Sequence, residues 1–414
     1  MLPIHAWLGR ADRHRSALIL PDGTELSFGE LAVLPGQAGL LAPEGDAGAL
    51  ARGIVVAALG GGTAFPLPPG LTPTQRQSLV ECASAAARRT LALIIATSGS
   101  TGAPKGVCLP WRAIAAASRA SAQALTLTAG DAWVACLPLY HVGGAMILYR
   151  CLRRGATAVV HEGFDVEAVR RDLASRRITH ISLVPPMLAR LLDAAVMPPA
   201  SLRCALVGGA ALTKGLFQRA QAAGWPVCPT YGMSETAALV TVNLRPGAEW
   251  EEGDVGAPLP GVRCAVAGDG TLRIATPARM AGYLGEPQNR QEWLATQDIG
   301  HVDSAGHLCV AGRADDMLIS AGVNVHPSEI ESRLSACPGV REAGVTGLAD
   351  PVWGDLIACA YEGSQAEAAV DAWCRLHLPN GRRPRRLLRV DRLPRTASGK
   401  LDRRALSGLW GAAA

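Results

Sequence analysis

From about residue 90 to 260 the chain alternates short apolar runs with amphipathic stretches. The runs LALIIATS (91–98), AWVACLPL (132–139), ATAVVHEG (156–163), THISLVPP (179–186) and RCALVGGA (203–210) read as strands buried on both faces. Between them WRAIAAASRASAQALTL, VEAVRRDLASRR and PMLARLLDAA space their apolar residues as helices do. Strand and helix in turn predict an α/β domain with a largely parallel sheet. Residues 262–312 are rich in Gly and in short runs such as RCAVAGDGTLRIAT and GHLCVAGR, which predicts a small antiparallel β unit.

Beyond Arg313 the pattern changes. HPSEIESRL offers Pro327 and then a capping box from Ser328 to Glu331, opening a helix with Ile330 and Leu334 one turn apart. GVREAGVTGLAD and DLIACAYEG are strand-like, and AEAAVDAWCRLHL is helical. The expected fold is therefore α/β: a large N-terminal domain of α/β subdomains with a small β-rich subdomain (residues 1–314), then a small α+β C-terminal domain (residues 315–414).

Composition narrows the class. With 414 residues, 49% hydrophobic and 18% charged, the chain can bury several cores and leaves little room for long disordered tails. No apolar stretch is long enough to span a membrane, and the opening MLPIHAWLGRADRHR lacks the order of a secretory leader, so a cytoplasmic location is expected. The eleven cysteines form no C-x-x-C pair and are expected to be reduced thiols. A net charge of +5 is too mild to imply nucleic acid. The basic residues are unusual in kind: of 40, only Lys105, Lys214 and Lys400 are lysine.

Two of those lysines lie in glycine-containing segments. In ATSGSTGAPKGV (96–107) seven of twelve residues are Gly, Ser or Thr, directly after a strand. Such a loop turns backbone amides and hydroxyls toward an anion, with Lys105 adding a positive charge, and phosphate is the natural ligand. It is not a Walker A loop, because Pro104 precedes the lysine and Gly106 follows it. A Gly/Ser-rich surface linker is the plain alternative, but a linker seldom follows a buried strand so tightly.

Further motifs follow in order: VGGA (207–210), YGMSETAAL (231–239), TQDIGHVDSAGHLCVAGRADDMLISAGVNVHPSEIE (296–331) and LPRTASGKLDRRAL (393–406). Together they resemble the adenylate-forming superfamily of acyl- and aryl-CoA synthetases, luciferases and peptide-synthetase adenylation domains. The likeness runs from residue 54 to 406, and the stretch around GRADDMLISAGVNVHPSEIE is most similar to benzoate-type and succinylbenzoate-CoA ligases. The resemblance implies activation of a carboxylate by MgATP to an acyl-adenylate, then transfer to a thiol.

It also implies roles for particular residues. Thr97, Ser98, Gly99, Ser100, Thr101, Gly102 and Lys105 would fold over the β- and γ-phosphates. Glu235 would hold Mg²⁺, for which a carboxylate oxygen is a suitable ligand, and Thr236 would donate to the α-phosphate. Tyr231 and Gly232 on one side, and Gly208, Gly209 and Ala210 on the other, would line the adenine. Asp298 would accept the ribose hydroxyls, and Arg313 would reach the ribose or phosphate. Lys400 would draw the carboxylate and α-phosphate together as a catalytic residue, and His141 in PLYHVGG (138–144) would border the acyl site. Asp315 would be the hinge of a mobile C-terminal domain, and Gly322 in SAGVN would leave room for the pantetheine of coenzyme A.

The chain departs from the pattern in two ways. The phosphate loop comes early, so part of the region between residues 31 and 56 is expected to be trimmed, and Gln297 stands where a glycine commonly precedes the ribose-binding aspartate. The expected partners are a small aromatic or short apolar carboxylic acid and coenzyme A, or alternatively the phosphopantetheine of a separate acyl carrier protein. A non-catalytic nucleotide-binding relative is the reading from a different class. No basic residue stands out for a second carboxylate on the acid, which weighs against succinylbenzoate. The ten basic residues between 382 and 404 read equally as a phosphate- or carrier-binding face and as a solvated one.

Overall fold

A computed structural model of the chain describes residues 3–86, 91–98, 104–247, 249–287, 291–396 and 400–411. Its largest element among these is a nine-stranded sheet. The inner strands run in parallel: Ser16–Ile19, Thr157–Val160, Ala132–Ala135, His180–Leu183, Cys204–Val207 and Val227–Met233. The apolar runs explain this, since Trp133, Val134 and Ala135 are all fully buried and only a strand covered on both faces can use such a run. The helices Trp111–Ala124 and Val142–Arg154 cover one face, and Val166–Ser175, Pro185–Asp193 and Lys214–Ala222 pack into a second core on the other.

The strand before the glycine-rich loop does not join that parallel sheet. Leu91–Ser98 pairs antiparallel with Pro104–Pro110, Thr97 opposite Lys105, inside a separate five-stranded sheet that also contains Gly282–Tyr283. The return strand PKGVCLP was not foreseen, because Pro and Gly hid its alternation. The helices Ala47–Gly60, Pro73–Ala86 and Val142–Arg154 were also unread; the last begins at His141 within the stretch taken only as a pocket wall. The strands Arg263–Val266, Thr271–Ala275, Leu294–Val302 and Leu308–Arg313 form the expected small antiparallel sheet, in which Asp298 and Arg313 are directly opposite.

Beyond Arg313 the helices Pro327–Leu334 and Glu367–His377 pack on a sheet built around the long hairpin Val340–Asp350 and Gly354–Gly363. This unit has its own cores, centred on Ile330, Leu334, Val345 and Tyr361 and on Leu393 and Leu406. The expected capping box does not form. His326 is the N-cap, Pro327 takes the first helical turn, Ser328 Oγ donates to the Ala311 carbonyl at 3.0 Å, and Glu331 instead binds the half-buried Arg403. Proline at the first helical position already tolerates the missing cap donor, which frees both polar side chains for other contacts. Several arginines of the basic run are likewise paired internally, Arg382 with Glu329, Arg395 with Glu342 and Arg403 with Asp316 and Glu331.

All eleven cysteines are free thiols. No helix among the described residues is long and apolar enough to cross a membrane.

Candidate active site

The site lies where the parallel strands end, beside the small antiparallel sheet. On one side Val227–Met233 presents Tyr231, whose hydroxyl donates to Oδ2 of Asp298. Arg313 Nη1 approaches Oδ1 of the same carboxylate at 3.5 Å and binds Asp315 through Nε and Nη2, both at 2.8 Å. Tyr231, Asp298, Arg313 and Asp315 thus form one chain of contacts leading to the boundary with the C-terminal unit. Burial and the neighbouring Asp298 charge push the Tyr231 hydroxyl well above the usual tyrosine range, so it stays a donor. Gln297 causes no distortion: it sits exposed in the strand Leu294–Val302, where extended backbone suits any residue.

Glu235 lies in a 3-10 turn, Ser234–Thr236, directly after the Tyr231 strand. Its Oε1 accepts from the Tyr283 hydroxyl at 2.9 Å, and Lys105 Nζ stands 5.2 Å from the centre of the same tyrosine ring and 3.8 Å from Glu286. Thr236 is fully buried, and its hydroxyl lies 3.1 Å from the Met233 carbonyl and 3.2 Å from that of Ala238. In this arrangement it braces the turn that carries Glu235. Gly232 is needed for close approach, since a side chain there would stand 1.8 Å from the Ala238 carbonyl oxygen. Thr97 Oγ1 reaches the Lys105 carbonyl at 3.3 Å; Gly99, Ser100, Thr101 and Gly102 lie outside the described residues, as do residues 397–399.

Lys400 comes from the C-terminal unit and meets the VGGA turn. A side chain at Gly209, which has φ +79°, would stand 3.8 Å from Lys400 Cε and 3.4 Å from Val184. Gly208 packs closely on Thr230, and Ala210 is exposed beside it. Lys400 keeps contact with solvent in the cleft, yet the protein around its ammonium lowers its pKa. Arg313 lowers it further, while Asp298 and Glu235 act in the opposite sense. Burial and the charge of Lys400 hold His141 down to about 4, so its imidazole is neutral at physiological pH. Its Nε2 is buried with no hydrogen-bond partner among the described residues.

These features agree with what the chain is similar to. The model of the AMP-binding enzyme family matches residues 53–284, and that of the AMP-binding enzyme C-terminal domain matches residues 329–400. The chain belongs to the AMP-binding enzyme family. The 2-succinylbenzoate--CoA ligase of Bacillus pumilus is 38% identical over 334 residues, covering 76% of this chain and 68% of that protein, and the ligase of the same name from Bacillus subtilis is 34% identical over a similar span. The o-succinylbenzoate CoA synthetase (MenE) of Bacillus subtilis in complex with its acyl-adenylate intermediate OSB-AMP superposes with a TM-score of 0.85 at 26% identity, covering 98% of each chain. A further structure of that synthetase, in complex with ATP and magnesium ion, gives a TM-score of 0.84 at 26% identity. The expected membership of the adenylate-forming superfamily and the α/β architecture are thereby shown.

Within this AMP-binding enzyme, some residues escaped the sequence. Tyr283, which bridges Lys105 and Glu235, lies between motifs in an unremarked GYLGE. Arg150, on the helix that starts at His141, is 2% exposed, with Nε on Ser121 Oγ at 3.1 Å and its guanidinium 5.5 Å from the Trp133 ring centre. Its Nη2 has no partner among the described residues, and burial pushes its pKa down to about 10. Nothing distinguished this arginine from the other 36 in the sequence. Gly322, with φ +79°, closes the hairpin between Leu318–Ser320 and Val323–Val325, where an added side chain would meet open space.

Proposed function

We propose that this AMP-binding enzyme is an ATP-dependent acid–CoA ligase that activates an aromatic acid of the 2-succinylbenzoate class and passes the acyl group to coenzyme A. The observation that carries the reading is the arrival of Lys400 at Gly209, within electrostatic reach of Glu235, Asp298 and Arg313 and beside the neutral His141. A cation whose charge its surroundings disfavour gains most when an anionic substrate arrives.

In the first half-reaction a carboxylate oxygen attacks the α-phosphorus of ATP and pyrophosphate leaves. Both reacting groups are negative, and Lys400 between them offsets the repulsion and holds them in line. His141 is suited to border the carboxylate, because a neutral imidazole can hydrogen-bond it without opposing Lys400. The Asp298 carboxylate, steadied by Tyr231 and Arg313, is suited to the ribose hydroxyls. The residues fit Mg²⁺ as a shared ion: Glu235 offers hard carboxylate oxygens, and no cluster of three or more ligating side chains exists among the described residues, so ATP phosphates would complete the shell. When bound, the ion neutralises phosphate charge. In the second half-reaction the thiol sulfur of coenzyme A attacks the acyl carbon, AMP leaves and the thiol proton is released. Residues 1–314 and 315–414 act as two domains, and rotation about Asp315 would withdraw Lys400 and bring the Gly322 hairpin to the adenylate. The relatives are named as CoA ligases, and no observation favours a carrier protein.

The acid's second carboxylate is where Arg150 enters. A guanidinium buried beside Trp133 with no carboxylate paired to it among the described residues is costly, and an anionic ligand would compensate it. This supports a dicarboxylic aromatic acid over a simple benzoate and reverses the weight that the sequence alone gave. Incubation with ATP, Mg²⁺, coenzyme A and a panel of acids tests the reading. 2-Succinylbenzoate should yield its thioester, AMP and pyrophosphate. Absence of pyrophosphate exchange with every acid would overturn the assignment.

A further inference from the structure

The helix Pro327–Leu334 and the turn after it carry serines at 328, 332 and 335, spacings of four and three that place them on one face. The other face buries Ile330 and Leu334 in the core of the C-terminal unit. The serine face lies on the large domain. Ser328 Oγ donates to the Ala311 carbonyl at 3.0 Å, and Ser332 Oγ donates to Oε2 of Glu252. Ser335 lies alongside Gly215, where a side chain would come within 3.8 Å of it. Glu252 is itself fixed, because the same Oε2 accepts from the Lys214 backbone N–H at 3.1 Å, at the positive N-terminal end of the helix Lys214–Ala222.

We propose that this serine face, centred on the Ser332–Glu252 hydrogen bond, is the catch that docks the C-terminal domain in its adenylating position and so keeps Lys400 at the site. Glu252 and Ser332 are positioning residues: neither faces the nucleotide cluster, and both act through the placement of Lys400. Hydroxyls suit a catch that must open in every cycle. A serine can exchange a protein partner for water at small net cost, whereas an apolar helix face would have to be exposed to solvent at each rotation. The charged acceptor makes the central bond stronger than the Ser328–Ala311 bond beside it, while the Ser335 hydroxyl donates to the Ser332 carbonyl of its own helix. This inference rests on the two-position cycle proposed above, and the test separates the two.

Ser332→Glu sets a second carboxylate against Glu252 and should undock the domain. Adenylation, read as pyrophosphate exchange, should fall at least about tenfold, the scale of one charge-assisted hydrogen bond. Consumption of supplied acyl-adenylate by coenzyme A should be unchanged, and Ser332→Thr, which keeps the hydroxyl, should retain wild-type exchange. Fluorophores at the exposed Met197 and Leu376 report the domain separation without catalysis, and it should lengthen in Ser332→Glu. Should that variant fold poorly, Ser332→Ala and Glu252→Gln give the same reading with smaller shifts. Unchanged separation and exchange, or equal slowing of both half-reactions at an unchanged melting temperature, overturns the catch. A wild-type protein inactive on every acid would sink the proposed function while leaving the separation measurement decisive for the catch.

Discussion

The two halves of the site are built on opposite plans. On the side we assign to the nucleotide the polar groups are already paired with one another: Tyr231 with Asp298, Arg313 with Asp298 and Asp315, Tyr283 with Glu235. On the side we propose for the acid they are not. His141 Nε2 is buried without a hydrogen-bond partner among the described residues, and so are Arg150 Nη2 and Tyr149 Oη further along the same helix and Ser118 Oγ on the helix Trp111–Ala124. A nucleotide offers the same ribose and phosphates in every turnover, so its side is set in advance by mutual hydrogen bonds that cost no reorganisation. In the proposed reading the acid side instead holds desolvated polar groups that the right substrate would satisfy. An unpaired buried group rejects a ligand that lacks its partner far more sharply than an apolar wall can.

The largest expected effect breaks the link between the halves. Lys400→Ala should slow adenylation by about a hundredfold or more, the scale of one pre-placed transition-state partner. The thioester step from supplied acyl-adenylate should be nearly intact, as measured by stopped-flow release of AMP. Equal loss in both steps would mean that the lysine serves the fold and leaves the halves unconnected.

Next comes the acid side alone. Arg150→Leu replaces a buried unpaired cation by an apolar side chain and should not cost stability. It should raise KM for 2-succinylbenzoate by about tenfold to a hundredfold, the value of a charge-assisted pair, and leave KM for ATP unchanged. Turnover of a monocarboxylic benzoate should hold or improve. A uniform loss on both acids would return Arg150 to the core.

The same contrast explains what the sequence made legible. The cluster of Tyr231, Glu235, Asp298, Arg313 and Lys400 is assembled from short contiguous motifs, so these residues could be picked out as candidates before any fold was known. The parallel strands could be read as well, because burial on both faces writes an uninterrupted apolar run. Arg150 could not: its meaning comes from being enclosed by two helices and a strand, and only the folded chain separates it from its exposed counterparts. The hairpin strand Pro104–Pro110 was hidden for a local reason, and the Ser328 capping box misled because proline had already solved the helix start. Thr236 shows what a motif leaves unsaid, since only the fold reveals the two carbonyls its hydroxyl meets.

A smaller effect sharpens the nucleotide side. Tyr231→Phe keeps the ring and removes the hydrogen bond to Asp298. KM for ATP should rise about fivefold, less than the full worth of a hydroxyl–carboxylate bond because Arg313 still holds Asp298, with kcat little changed. A large fall in kcat would place the hydroxyl nearer the chemistry than its contacts imply.

The smallest effect uses pH to tell the site from the core. Burial holds both His141 and His180 down to about 4, His141 with help from Lys400 and His180 within the core beside Trp133. In the unfolded chain each imidazole takes a proton near pH 6.5, while in the folded chain each stays neutral until about pH 4. Unfolding therefore takes up protons between those values, and stability is fully present above pH 6.5 and falls as pH drops toward 4. The melting temperature should decline by on the order of a few degrees across that window in calorimetry. His180→Gln should flatten the decline whether or not a ligand is bound. His141→Gln should flatten it in the free enzyme, and a tight acyl-adenylate analogue should alter only the His141 share, because that imidazole alone lies beside Lys400 and the acid. If the ligand changes both shares equally, His141 belongs with the packed histidines and the acid side begins elsewhere.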